Sequence, residues 1–375
     1  MTDSTRALMP DYLRLISLFG IVVVNVQFIG FSLLSGLDTI TWYSTAELIT
    51  LWLVDGLALY KSYSLFSFMF GVGLGFLMVS AARTNVSIGK LYRNRMIGLF
   101  LFGVVHGCLF FPGDVLLVYA IMGAILFRLR NWEAARLVKV GTALVAVQAL
   151  TFASFAASPS EMPETIVALE RDVMTGDSFV AVIWFRAVAF AVLSPFLVLF
   201  QGIAALGWFC LGLAAVKSGM IDQADHPLWA RARWWCLGPG IALSLLGSWM
   251  LHAQGVLGAS ALILMAAPIS TLGYLGAIAA ISRPPGPVMQ HILAAGGSSL
   301  SIYLGQSIIL STLFSGYGFG LWDAVSRPVV VLIGVGVTVV LIAALSIWRG
   351  AFRLGPFEWL LRRITYAGQV KSPPA

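Results

Sequence analysis

Residues 13–34 read LRLISLFGIVVVNVQFIGFSLL, 22 residues with one charged side chain, Arg14. A helix needs about 20 apolar residues to cross a hydrocarbon core. The run is too long for a signal-peptide core and lacks a small-residue cleavage site, so it reads as a retained first span. Comparable runs recur along the chain. Ten crossings are expected, at 13–34, 62–82, 92–111, 114–129, 134–157, 195–216, 233–252, 257–281, 298–315 and 328–348. Residues 45–60, with Glu47 and Asp55, and 165–193, with Glu170, Asp172 and Asp177, are too polar or too short and read as interfacial or partly inserted helices.

Composition agrees. Of 375 residues, 59% are hydrophobic and 10% charged, with a mean hydropathy of +0.92. A soluble domain carries about 25% charged residues, so lipid is the solvent this surface suits. The expected fold is an all-α transmembrane bundle over 1–375, with a core at 11–368 and a short cytoplasmic tail at 369–375. The net charge of +7 sits in patches between spans, which suits topology and anionic headgroups and argues against nucleic acid as a partner. Segments 1–14, 83–95, 128–139, 217–233, 283 and 349–371 hold 19 of the 23 Lys and Arg residues, while 158–178 holds five acids and one arginine. The positive-inside rule places both termini in the cytoplasm. Cys108, Cys210 and Cys236 lie in or beside apolar runs and read as small buried hydrophobes. No histidine is spaced for a metal.

Polar groups at membrane depth are costly and mark candidate sites. Arg14 and Asn25 are three helical turns plus about 20° apart and share a face, about 16 Å apart along the axis. Asp11 and Arg14 are i,i+3 partners. His106 lies in Gly103–Gly107, and Pro112–Gly113 breaks the chain before Asp114. Asp114 suits an N-cap; it also suits a carboxylate that fixes the imidazole of His106 as a general base across a hairpin. Gly71 and Gly75 form a small-xxx-small face for helix packing. Ser299, Tyr303 and Gln306 share a stripe that either lines a polar cavity or joins two helices. Glu358 and Arg362 are i,i+4, beside the interfacial Trp359; basic residues there also suit cofactor phosphates.

These pieces, in this order, resemble the YeiB-like family of bacterial inner-membrane proteins, a domain of unknown function. The marks are Asp11-Tyr-Leu-Arg14 with Asn25; Tyr63-Ser-Leu-Phe66 through Phe70-Gly71-Val-Gly73; His106-Gly107 with Gly113-Asp114 and Tyr119-Ala120; Leu300-Ser-Ile-Tyr303 with Gln306-Ser307; and Gly355-Pro356-Phe-Glu358-Trp359 with Arg362. The first span is similar, more distantly, to heparan-α-glucosaminide N-acetyltransferase and other transmembrane acyltransferases. That resemblance implies a cytoplasmic acyl-CoA donor such as acetyl-CoA, a hydroxyl or amine acceptor, a positioning or polarising role for Asn25, and a homodimer. It departs at one point: no histidine lies between residues 26 and 60, so the base would have to be His106. Arg14 with Arg93 or Arg95 would meet the CoA phosphates, and the Ser299–Tyr303–Gln306 stripe the acceptor. A transporter using the same polar residues, and a non-catalytic, lipid-binding scaffold, are the alternatives.

Overall fold

The computed structural model describes residues 8–35, 44–84, 86–156, 162–256 and 258–368. The 369–375 tail lies outside the described residues. Among the described residues every regular element is helical: α1 (Met9–Gly30), α2 (Thr45–Leu57), α3 (Lys61–Arg83), α4 (Ile88–Leu109), α5 (Leu116–Leu129), α6 (Ala134–Ala156), α7 (Glu164–Thr175), α8 (Phe179–Phe196), α9 (Gly202–Lys217), α10 (Pro227–Ala232), α11 (Gly238–His252), α12 (Ser260–Ile281), α13 (Pro287–Gly296), α14 (Ser299–Phe314), α15 (Arg327–Ala351) and α16 (Pro356–Thr365). Seven helical stretches among the described residues are long and apolar enough to cross a membrane, eight if the α13–α14 pair, bent by 75°, counts as one. The chain is an all-helical integral membrane protein.

Two sequence expectations change. Residues 45–60, expected as an interfacial or partly inserted helix, contain α2, which continues with α3 as one 39-residue apolar stretch, Thr45–Arg83, interrupted where Tyr60 takes a left-handed backbone at φ 63°. Residues 165–193 are not one element. The amphipathic α7 stands apart, whereas α8, a π-helical turn at Leu197–Gln201 and α9 form a second 39-residue stretch, Phe179–Lys217. The reason is local. The acids of 164–177 end at Asp177, and the sequence from Phe179 onward is apolar enough to extend the following span.

Cross-links gather the loops at two ends. At one end, Tyr12 donates its hydroxyl to Arg283 O at 3.2 Å, Asn94 donates to Ala367 O at 3.0 Å and Lys217 donates to Trp132 O at 2.6 Å. At the other, the Ser32 hydroxyl and the Leu33 and Leu34 amides donate to Glu170 of α7. Arg171 pairs with Asp323 at 2.9 Å there. Burial pushes the Glu170 carboxyl up from its ordinary range, and the three donors only partly offset it.

The bundle's centre is the α3–α9 contact, and it depends on missing side chains. A Cβ at Gly71 would sit 2.0 Å from Phe209 O, and one at Gly212 2.0 Å from Phe68 O. Gly75 likewise faces Val216. The Gly71–Gly75 face is therefore covered by α9 of the same chain and offers no dimer contact. Gly71→Leu is expected to cost about 1–3 kcal/mol through overpacking, read as a lower melting temperature in detergent. Gly73, with nothing within 4 Å of its Cβ position, is the control: Gly73→Ala is expected to melt at or above the parent temperature.

At the bend before α14, Glu358 of α16 supplies the missing acceptors. It receives the Leu300 amide at 2.6 Å, the Ser301 amide at 3.0 Å and the Ser301 hydroxyl. A carboxylate at a helix N-terminus satisfies orphan amides and meets the positive end of the dipole. Glu358 thus serves α14 rather than the i,i+4 pair with Arg362; Arg362 lies over Tyr366 and Arg363 over Trp359. Glu358→Ala is expected to destabilise by about 2–3 kcal/mol, and Glu358→Gln by less, in the same melting assay.

Candidate functional site

The sequence Gly103-Val-Val-His106-Gly107 closes α4 and Pro112-Gly113-Asp114 turns the chain into α5. Pro112 cannot extend a helix, and Asp114 then caps the next one, its Oδ2 accepting the Leu117 amide at 2.9 Å. The close approach needs Gly103, whose Cβ would sit 2.4 Å from the Leu117 amide nitrogen. The other carboxylate oxygen, Oδ1, lies 2.8 Å from His106 Nδ1, and the Tyr303 hydroxyl of α14 donates to it at 3.4 Å. His106 and Asp114 are 2% and 1% exposed. An ionised carboxylate only accepts, so Nδ1 carries the proton and Nε2 holds a lone pair. That Nε2 is buried and has no hydrogen-bond partner. The geometry is that of an imidazole held in one tautomer with its basic nitrogen unengaged.

Above this hairpin lies Arg186 of α8. It donates to Leu109 O at 3.1 Å, Ser315 Oγ at 2.7 Å and Tyr317 Oη at 3.4 Å. Burial pushes the Tyr317 phenol up, but the bonds to Arg186, Ser311 and Ser315 and the Arg186 charge outweigh it, and the net shift is down.

Asn25 is not in contact with this pair. It lines a cavity of about 290 Å³ whose wall includes Phe111, Gly113 and Val115, the residues flanking Asp114. His106 is not among the residues lining that cavity. The predicted acceptor stripe divides. Tyr303 goes to Asp114, Gln306 donates to Thr338 of α15 at 2.8 Å as interhelical glue, and Ser299 opens α14, half-buried. The three arginines do not converge. Arg14 pairs with Asp11 at 2.9 Å, as expected. Arg93 lines an apolar groove with Arg128. Arg95 lies within electrostatic reach of Tyr92, Glu358 and Tyr366. Gly113 has its own local role, since a Cβ there would meet the Phe111 ring at 2.6 Å.

A second buried ionisable cluster escaped the sequence reading. At the α2–α3 break, Asp55 Oδ2 lies 2.7 Å from His252 Nε2. Lys61, 0% exposed, donates to the carbonyl of Asp55 at 2.9 Å. Lys61 stands between the expected helix at 45–60 and the expected span at 62–82 and belongs to neither; the usable signal is an amine at the very edge of an apolar run. No group of three or more His, Cys, Asp or Glu side chains able to hold a metal is found among the described residues.

Residues 215–368 match the model of a family described as "Protein of unknown function (DUF418)". Over 95% of its length the chain is 26% identical to the uncharacterized protein YxaH of Bacillus subtilis, covering 93% of it. It is also 26% identical to the uncharacterized protein YeiB of Escherichia coli, 95% of each chain being covered. An uncharacterized 39.9 kDa protein of Bacillus acidopullulyticus is 24% identical over 95% of this chain and 92% of its own. No solved structure matches. Each relative is described as uncharacterized, so the likeness carries kinship and no activity. With a family model matched over residues 215–368 and relatives aligned over nearly its full length, the chain is similar to the YeiB-like proteins of unknown function.

Proposed function

We propose that this chain is a membrane-embedded acyltransferase of the bacterial cytoplasmic membrane, with ten crossings in one domain and both termini cytoplasmic. The observation that carries the chemistry is the buried His106–Asp114 pair with its unengaged Nε2. The topology rests on the two gathered ends. Basic segments around residues 12, 94, 132, 217, 283 and 367 meet at one end, and acidic α7 lies at the other. α5 rises only about 21 Å, but the α4–α5 hairpin returns to the side it left. Counted as two crossings or as a re-entrant pair, it keeps the parity even.

In this reading His106 Nε2 takes the proton from an acceptor hydroxyl or amine. The oxygen or nitrogen attacks the thioester carbonyl of an acyl-CoA, the C–S bond breaks, and imidazolium returns the proton to the departing thiolate. Asp114 holds the tautomer and stabilises the imidazolium. Asn25, on the adjoining cavity, positions the acceptor. Arg93, with Arg128 at the basic end of the hairpin that carries His106, suits the donor's phosphates; Arg14 and Arg95 stand apart from that pair.

With radiolabelled acetyl-CoA and inner-membrane lipid extract, the purified chain is expected to label an extractable product. His106→Ala is expected to lower that rate about 100- to 10,000-fold and, because it takes a donor from the buried Asp114 carboxylate, to lower the melting temperature of a still folded chain; full transfer by the variant would sink the assignment. Asp114→Asn is expected to lower kcat more than it raises KM, because the wrong tautomer is then favoured.

A second reading, a carrier, has one observation in its favour. Asp55, Lys61 and His252 are buried at an interrupted helix, and α13–α14 is bent by 75°. Discontinuous helices with polar groups at their breaks are a transporter feature. Solute uptake into proteoliposomes without acyl product, lost in Lys61→Met, would favour it.

A further inference from the structure

The cavity that Asn25 lines is walled by α1, the α2–α3 break, α6, the α8–α9 stretch and α12. Its lining contains no Asp, Glu, Lys, Arg or His side chain among the described residues. The nearby ionisable groups are engaged with one another behind the wall: Asp114 with His106, and Asp55 with His252 and Lys61. What the cavity does present is three carboxamides, Asn25 from α1, Gln148 from α6 and Gln201 from the π-helical turn. None of the three side chains makes a hydrogen bond within the protein among the described residues. Each is half-buried. Unpaired amides inside a bilayer-spanning bundle are expensive, which points to a partner that comes from outside the chain.

A second cleft of about 260 Å³, lined by apolar side chains apart from Gln201, shares Phe152, Leu197 and Gln201 with this cavity. Its remaining lining residues are Phe155, Phe196 and Phe200. Phe200 packs edge-on against Phe152 and Phe155, at ring separations of 5.3 and 5.2 Å. Phe155 and Phe196 are 61% and 59% exposed, on the outer surface of the bundle. The two spaces meet at the π-helical turn. Such turns widen the backbone and recur at functional sites. Tyr63 braces this one, donating to Gln201 O at 3.1 Å.

We infer that this cavity binds an uncharged amphipath, an apolar chain ending in hydroxyl, ester or amide groups, which enters sideways from the bilayer between α6 and α8. The carboxamides offer both donors and acceptors to such a head, while the phenylalanine cleft takes the chain. A charged head is disfavoured, because the lining has no counter-charge to offset desolvation. Naming this ligand as the acyl acceptor rests on the acyl-transfer reading; its binding does not.

The test uses the full chain in nanodiscs, without any acyl donor, and three probes of equal chain length: 1-oleoylglycerol, oleate and 1-octadecene. Each is measured by competition against a photoactivatable 1-oleoylglycerol with a diazirine in its chain, the labelled peptides being mapped by mass spectrometry. The expected result is labelling at Phe152, Phe196 or Phe200, with oleoylglycerol competing about tenfold better than oleate or octadecene. Gln148→Leu is expected to weaken oleoylglycerol about tenfold. Equal competition by oleate would overturn the uncharged class. Equal competition by octadecene would overturn recognition by the amides. Labels confined to other helices would overturn the lateral route. Because the probe comparison uses the unaltered chain, a variant that fails to fold does not blunt the test. Binding without acyl transfer would remove the enzyme reading and leave this one standing; transfer to an acceptor that never labels the cavity would do the reverse.

Discussion

A carboxylate 1% exposed between three helices must find donors for both oxygens or become neutral. Asp114 finds them on α4, on its own helix α5 and on α14, through His106, the Leu117 amide and Tyr303. Much of the surrounding sequence is explained by that one demand. Gly103 leaves room for the Leu117 amide, Pro112 and Gly113 turn the chain, and Gly107 admits Phe190 of α8, whose ring carbon would lie 2.4 Å from a Cβ there. Arg186 then fastens α8 to the carbonyl of Leu109. The contacts around this buried acid thereby join four helices, and they leave the Nε2 of the imidazole it orients without a hydrogen-bond partner.

The other ionisable groups at depth follow the same rule. Asp55, His252 and Lys61 satisfy one another at the α2–α3 break, where the left-handed Tyr60 interrupts the helix. Lys61 donates to a carbonyl near that break, so its amine does the work of a cap as well as a countercharge. The consequence is a sharp separation of polarity. These charged groups are engaged inside the walls, and the lining of the cavity between them is neutral, with hydrogen-bonding side chains only from carboxamides, tyrosine, serine and Trp208 among the described residues.

The apolar periodicity and the basic patches made most of the helices legible, because both are dictated by lipid and neither depends on distant contacts. The His106–Asp114 pairing was legible as one of two roles for Asp114, since a Pro-Gly break within eight residues allows a hairpin, and the structure shows both the pairing and the cap. Three things were not. The continuity of α8 with α9 was hidden by the acids of 164–177, which give the whole segment 165–193 an interfacial composition, and no local spacing shows that Arg186 is buried against Ser315 and Leu109 O. The Asp55–His252 pair joins residues 197 apart, and no local spacing announces it. Glu358 was read by its i,i+4 neighbour, whereas its partners lie 57 and 58 residues earlier. Separation of Asn25 from His106 had the same origin. Both lie on apolar spans, but the face each presents is set by neighbouring helices.

The Glu358 contact has a bearing on biogenesis. A membrane protein is threaded into the bilayer from its N-terminus as it is synthesised, so α14 enters the membrane with the amides of Leu300 and Ser301 still waiting for an acceptor. That acceptor belongs to α16, the last helix of the described chain, and arrives after α15 has been made. The bend at Gly297–Ser298 is therefore sealed by a helix made two elements later, and α14 cannot lock in place until α16 has been synthesised.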